Sequence, residues 1–100
     1  MEFLKMEGLG NDFVVVEGTT DPSLADIIAW CDRRRGIGAD GVLLVSPVEG
    51  GVTMKYWNAD GSSAETCGNG VRCVARLAVD RSWVAAGPFT VFTGAGPTPV

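Results

Sequence analysis

The sequence predicts a domain of mixed α and β structure. Three observations carry that expectation. Two segments repeat apolar residues at i, i+3, i+4 and i+7, several short runs are rich in β-branched and aromatic residues, and Gly-containing turns separate those runs. No fixed-period repeat, low-complexity stretch or internal linker interrupts the 100 residues, so the chain reads as one domain over residues 1–100.

Taken in order, Phe3 to Met6 and Phe13 to Glu17 read as strands joined by the turn Gly8-Leu9-Gly10-Asn11-Asp12, which makes a hairpin. Asp21 as N-cap and Pro22 at the first helical position open a helix. Its Leu24, Ile27, Ile28 and Cys31 form one apolar stripe, and it should stop before Gly36. Val42 to Ser46 and Val52 to Trp57 are strands joined through Glu49-Gly50-Gly51, and Ser62 to Thr66 is a short strand leading into Cys67. A second helix runs from about Asn69 to Ser82, with Val71, Val74, Ala75 and Ala78 on its apolar face and Arg72, Arg76 and Asp80 on a solvated one. After Pro88, Phe89 to Thr93 is a last strand. Gly94-Ala95-Gly96 then begins a turn that the remaining residues are not expected to complete with a partner strand, so the chain reads as cut at its C-terminus.

Composition narrows the function. A net charge of -4 and a pI near 4.5 disfavour nucleic acid and anionic membranes as partners and leave small molecules as the expected ligands. No apolar run reaches the roughly 20 residues of a membrane span, and no signal-peptide pattern follows Met1, so a cytoplasmic location is expected. Three cysteines without a secretory signal read as free thiols rather than a disulfide framework. Gly8-Leu9-Gly10 and Gly94-Ala95-Gly96 are better read as hairpin turns than as dinucleotide fingerprints, because neither opens a helix after a strand. With no histidine, and with five residues between Cys67 and Cys73, no metal site is expected. Lys5 and Lys55 lie in no pyridoxal phosphate motif, so no cofactor is expected either.

The run Asn58 to Cys73, NADGSSAETCGNGVRC, holds the chemistry. Cys67 stands at a Gly-rich turn directly before the second helix. The unpaired N–H groups and positive dipole end of a helix N-terminus lower a thiol's pKa and also hold a carboxylate. Gly68 and Gly70 allow a ligand close to the backbone. Thiolate and anion site coincide, which suits acid/base work on a carboxylate-bearing molecule.

This segment resembles the first active-site segment of the diaminopimelate epimerase family. Two further segments resemble that family in the same order: KMEGLGNDFVVVEG at Lys5 to Gly18, and CDRRRGIGADGVLLV at Cys31 to Val45. The resemblance extends from Phe3 to about Thr93. It implies cofactor-independent inversion at an α-carbon, turning L,L-diaminopimelate into the meso form in lysine and peptidoglycan precursor biosynthesis. It also implies an α+β fold in which a strongly curved mixed sheet wraps a central helix, one half of a two-domain fold whose C-terminal domain carries the second cysteine.

Inversion needs one group to take the proton from one face and another to return it from the other. Cys67 is the catalytic residue assigned here. Cys73 cannot be its partner, because six residues of helix place it about 9 Å along the axis and about 240° round. By resemblance, Asn11 and Asn58 bind substrate, and Gly68 and Asn69 give backbone N–H groups to its carboxylate. An amide can meet an ammonium-carboxylate substrate without adding charge beside the thiolate, although Asn in such turns also commonly serves its own backbone. Asp60 and Glu65 receive loop or thiol-environment roles. Two positions depart from the family pattern: Glu7, where many members carry an uncharged or basic polar residue, and Gly41, where some carry a glutamine that touches substrate.

Two other functions are kept beside this one. A related racemase or isomerase of the same fold could use Cys67 on a different substrate, and a non-catalytic half-domain could bind a carboxylate at Gly68 and Asn69 without a second base. A mean hydropathy of +0.20 fits an apolar surface covered by the absent half, or by a second copy in a homodimer. The local chemistry predicts that Cys67 is the most reactive of the three thiols. Thiol labelling across pH should modify it ahead of Cys31 and Cys73, and diaminopimelate should protect it.

Overall fold

The computed structural model describes residues 3–8, 10–64, 68–84 and 88–100. They form a mixed α+β domain with an open seven-stranded sheet and two helices. In chain order these are β1 (Leu4–Gly8), β2 (Asn11–Glu17), α1 (Leu24–Cys31), β3 (Gly41–Val48), β4 (Gly51–Asn58), β5 (Ser63–Ala64), α2 (Gly68–Asp80), β6 (Thr90–Thr93) and β7 (Gly96–Pro99). The sheet runs β1-β2-β3-β4-β6-β7. The free side of β4 is shared: Gly51 to Thr53 pair with β6, and Tyr56 and Trp57 pair with β5.

Among the described residues four pairs of consecutive strands, β1-β2, β3-β4, β4-β5 and β6-β7, are antiparallel, and two crossovers, β2-α1-β3 and β4-α2-β6, are parallel. Both crossovers step the same way across the sheet, but β2 and β4 run in opposite directions. Right-handed crossovers of opposite strand sense place their helices on opposite faces, and the alternation of side chains agrees. Phe13, Val15, Leu43, Val45, Val52, Met54 and Val91 turn to the α2 face, where they meet Val71, Cys73, Val74, Leu77 and Ala78. Val14 and Val42 turn the other way, toward Ile27, Cys31 and Ala39. The central β3 is buried from Gly41 to Val45, which is why its sequence is a continuous apolar run rather than an alternating one.

The expected hairpins and both helices are present, with several corrections. The α1 cap is Ser23, not Asp21: Ser23 is extended and its Oγ accepts from the Asp26 N–H at 3.1 Å, while Asp21 pairs with Lys55 at 2.8 Å. Pro22 therefore precedes the cap. Of the expected α1 stripe only Ile27 and Cys31 are buried. The helix packs chiefly on β3 through that narrow face, and Leu24 and Ile28 stay 59% and 46% exposed. On α2, Cys73 and Leu77 extend the buried stripe, and Ala75 is only half-buried.

The largest correction lies at the C-terminal end, where a partner strand does follow Gly94-Ala95-Gly96. β7 pairs with β6 from Thr93↔Gly96 to Thr90↔Pro99. Phe89 and Val100 exchange both backbone hydrogen bonds, so hydrogen-bonded pairs fall at 89/100, 91/98 and 93/96. Pro97 and Pro99 thus occupy the alternate positions, where no N–H is needed by β6. Two prolines in four residues argue against a central strand but not against this edge.

Gly51 opens β4 where β6 begins to pair. A Cβ there would lie 1.8 Å from the Thr90 carbonyl oxygen, a backbone atom with no rotamer to escape into. Gly51→Ala is expected to cost about 3 kcal/mol or more, read as a fall in the urea midpoint at unchanged slope.

Candidate functional site

The residues singled out by sequence gather at one end of the sheet. Asn11 opens β2, opposite Gly8. Parallel pairing puts Phe13 beside Gly41, so Asp12 lies next to Asp40, and Gly41 in turn faces Asn58 at the end of β4. The same end receives the first turn of α2. A Cβ on Gly8 would lie 3.2 Å from the Asn69 carbonyl oxygen and 3.3 Å from Cys73 Sγ, so glycine is what lets the helix start come this close to β1.

Two of the predicted residues touch directly. Asn69 Nδ2 donates to Asn11 Oδ1 at 2.7 Å, and Asn11 Nδ2 donates to Asp40 Oδ2 at 3.4 Å. Asn58 is at the same end but bonded locally: its Nδ2 donates to Ser62 Oγ at 3.0 Å, its N–H donates to the Ser62 carbonyl, and the next residue, Ala59, donates its N–H to the Asp40 carbonyl. Gly68 is exposed, with open space where a Cβ would stand. Cys67 and Glu65 lie outside the described residues. Asp60 has the loop role expected of it, accepting from Ser62 N–H and Oγ, and these bonds lower its pKa.

Beneath the amide pair lies a charged network that sequence reasoning did not single out. Arg33 grips Asp12 in a fork, Nη1 to Oδ2 at 2.9 Å and Nη2 to Oδ1 at 2.8 Å, and reaches Asp40 Oδ1 at 3.1 Å. Lys5 pairs with Asp12 at 3.2 Å and donates to the Gly38 carbonyl. The backbones join in: Asp12 N–H donates to Asp40 Oδ2, and Asp40 N–H donates to Asp12 Oδ1 and to the Asp12 carbonyl. The Arg33 fork, helped by Lys5 and opposed by partial burial, holds the Asp12 carboxyl well below the usual range, and Asp12 in turn raises Arg33 above its ordinary value. The available signal was the placing of Asp12 and Asp40 against Asn11 and Gly41, in polar turns that flank two apolar strands.

The other thiols have structural settings. Cys31 is buried, and burial pushes its pKa up. Cys73 is part of the core under α2. Of the two departures noted above, Glu7 lines a groove of about 470 Å³ between β1 and α2, with Arg72, Cys73 and Arg76, and that groove includes none of the predicted substrate residues. Gly41 is constrained by packing. A Cβ there would come within 2.4 Å of the Tyr56 ring and 2.5 Å of the Trp57 carbonyl, so this chain has no room for a glutamine at position 41 while Tyr56 keeps its place against Phe13. Among the described residues no cluster of acidic, cysteine or histidine side chains could hold a metal ion, and no helix is long and apolar enough to cross a membrane.

The fold is shared with solved structures of phenazine biosynthesis proteins of the PhzF family. The one from Enterococcus faecalis superposes with a TM-score of 0.68 at 14% identity over 91% of this chain and 34% of that one. The one from Bacillus anthracis gives 0.64 at 19% identity over 97% and 33%. These likenesses define the architecture alone.

Sequence comparison is more specific. The family model for diaminopimelate epimerase matches residues 3–100. The diaminopimelate epimerase of Caldanaerobacter subterraneus is 46% identical over 98 residues, covering 96% of this chain and 36% of its own length. That of Carboxydothermus hydrogenoformans is 50% identical over 103 residues, covering 96% and 38%. The chain belongs to the diaminopimelate epimerase family, and it spans a little over a third of the length of these curated relatives.

Because the folded-state pKa of Asp12 is depressed, its contribution to stability is complete above the ordinary carboxylate value near 4 and is lost as pH falls toward the folded-state value. Asp12→Asn should lower stability at pH 7 by about 1 kcal/mol, a modest figure because Arg33 is more than half exposed and water screens the pair. The variant should also show a shallower loss of stability than the wild type between pH 4 and pH 2, measured by urea unfolding.

Proposed function

We propose that this chain is the N-terminal half-site of a diaminopimelate epimerase, converting L,L- to meso-diaminopimelate without cofactor or metal. The observation that carries the reading is a convergence. Asn11, Asp40 and Asn69, one from each of the three motifs that resemble the family, are joined by hydrogen bonds at one end of the sheet, and Asn58 is attached there through Gly41 and Asp40. Residues scattered over 58 positions would not need to meet for the fold alone.

In this reading Cys67, immediately before the first residue of α2, is the thiolate or thiol that exchanges the α-proton from one face. The N–H groups of Gly68 and Asn69 and the positive end of α2 hold the adjacent carboxylate. Asn11 and Asn58 serve substrate recognition with uncharged amides. Burial raises the pKa of Cys31 and places Cys73 in the core, which supports giving the chemistry to Cys67. The opposite face of the carbon needs a second thiol from a C-terminal domain of similar architecture, matched by the remaining length of the relatives. α2 touches β1, β3, β4 and β6, which supports a sheet curved round a central helix. The enzyme would act in the cytoplasm in the diaminopimelate route to lysine, as a homodimer or against its own C-terminal domain.

Identities of 46% and 50% to epimerases, against 14% and 19% to the PhzF-family structures, favour this substrate over that of a related isomerase. The 100-residue chain alone is expected to show no epimerisation. Joined to the complementary part of a relative, it should exchange the α-proton of diaminopimelate in deuterated water, and Cys67→Ala should slow that exchange by about a hundred- to ten-thousand-fold. Undiminished exchange in the Cys67→Ala assembly would sink the assignment.

A further inference from the structure

The Asn11–Asn69 pair could in principle run in either direction. A carboxamide turned end for end keeps its shape while exchanging donor for acceptor, so only a chemically one-sided neighbour can fix which end faces where. Asp40 is such a neighbour. Its Oδ2 accepts from Asp12 N–H at 3.1 Å and from Asn11 Nδ2 at 3.4 Å, and its Oδ1 accepts from Arg33 Nη2 at 3.1 Å. A carboxylate held by a guanidinium can only accept. Asn11 must therefore give Asp40 its nitrogen and present its oxygen to Asn69, which must answer with Nδ2, as it does at 2.7 Å. That commits the Asn69 nitrogen within the protein and leaves its carbonyl oxygen as the end it offers a ligand, on the first turn of α2.

We infer that Asp40, anchored by Arg33, is a positioning residue that sets the direction of the Asn11–Asn69 amides so that Asn69 Oδ1 accepts a hydrogen bond from the substrate's α-ammonium group. The inference rests on the half-site reading above and divides the labour within it. Backbone N–H groups at the helix start can serve only the anionic end of an amino acid, and a carbonyl oxygen can serve only the cationic end. One residue, Asn69, then supplies both: its N–H to the carboxylate and its side-chain oxygen to the ammonium. Reversed, the same side chain would place an NH2 against the ammonium group, donor against donor. Neither Asp40 nor Arg33 needs to touch substrate for this, and neither is placed in the proton transfer.

The test is an NMR titration of the isotope-labelled chain and its Asp40→Asn variant with two probes, meso-diaminopimelate and pimelate, the second carrying the same carboxylates with no ammonium groups. In the wild type the Asn11 NH2 protons should show Overhauser contacts to the Asp40 Hβ protons. An amide at position 40 supports either direction, so in Asp40→Asn the Asn11 and Asn69 side-chain resonances should shift or double while the Val14 and Val42 backbone signals stay in place. Affinity for diaminopimelate should fall about tenfold, and affinity for pimelate should hold. A merely structural role for Asp40 would weaken both probes alike, and equal loss, or no loss, overturns the inference. A chain that binds neither probe sinks the half-site reading. The direction of the amides is then decided by the side-chain resonances, and unchanged Asn11 and Asn69 signals in Asp40→Asn overturn it. If Asp40→Asn does not fold, Arg33→Gln, which leaves the carboxylate in place but unanchored, is read by the same outcomes.

Discussion

Two carboxylates where neighbouring parallel strands begin should repel, yet the pairing of β2 with β3 is pinned where Asp12 meets Asp40, the residue before β3. Each aspartate accepts the other's backbone N–H, and Arg33 lies across both. Like charges become a clasp because every lone pair that faces inward finds a donor. The clasp fixes register. A slip of one residue between β2 and β3 would turn one of the two strands over, taking either Phe13 and Val15 or Leu43 and Val45 away from α2 and bringing Val14 or Val42 to the wrong helix. The two-faced core, the position of Gly41 against Asn58, and the nearness of Asn11 to α2 all depend on that one alignment.

The site is thus an outgrowth of sheet construction. Four strand ends, those of β1, β2, β3 and β4, and one helix start are brought to the same place by pairing rules that serve burial, and the polar residues at those ends inherit a fixed geometry. Gly8 and Gly41 work in opposite senses there. Gly8 lets the first turn of α2 descend onto β1, whereas Gly41 yields its space to the Tyr56 ring, which meets Phe13 edge-on at 5.8 Å. The floor of the site is shaped as much by the missing side chains as by those present.

Much of this was legible from the sequence. The hairpins announced themselves through Gly-containing turns between β-rich runs, and α2 through a stripe strong enough to survive miscounting Ala75 for Leu77. Asn11, Asn58, Gly68 and Asn69 were singled out because a family pattern surrounds them. What escaped notice depended on partners far along the chain. Asp12 and Asp40 are 28 positions apart and Arg33 is 21 from Asp12, so nothing local distinguished them from solvated charges. Ser23 outcompeted Asp21 as cap because Asp21 had a distant partner in Lys55. Leu24 and Ile28 kept helical spacing yet stayed exposed, because periodicity reports the helix and not how wide a surface waits to receive it. β7 was not expected from the residues after Gly96, because the sequence alone does not show that the nitrogens of Pro97 and Pro99 face away from β6.

Those prolines have a consequence for how the molecule behaves in a crowded solution. Along β7 the residues whose backbone nitrogens point away from β6 are 97 and 99, and both lack a hydrogen to give. A foreign strand approaching this margin would find carbonyls but no donors in the strand itself, and could not zip along it. Among the described residues this margin of the sheet therefore presents acceptors alone. Pairing of a second strand along β7 is disfavoured by that one-sided chemistry.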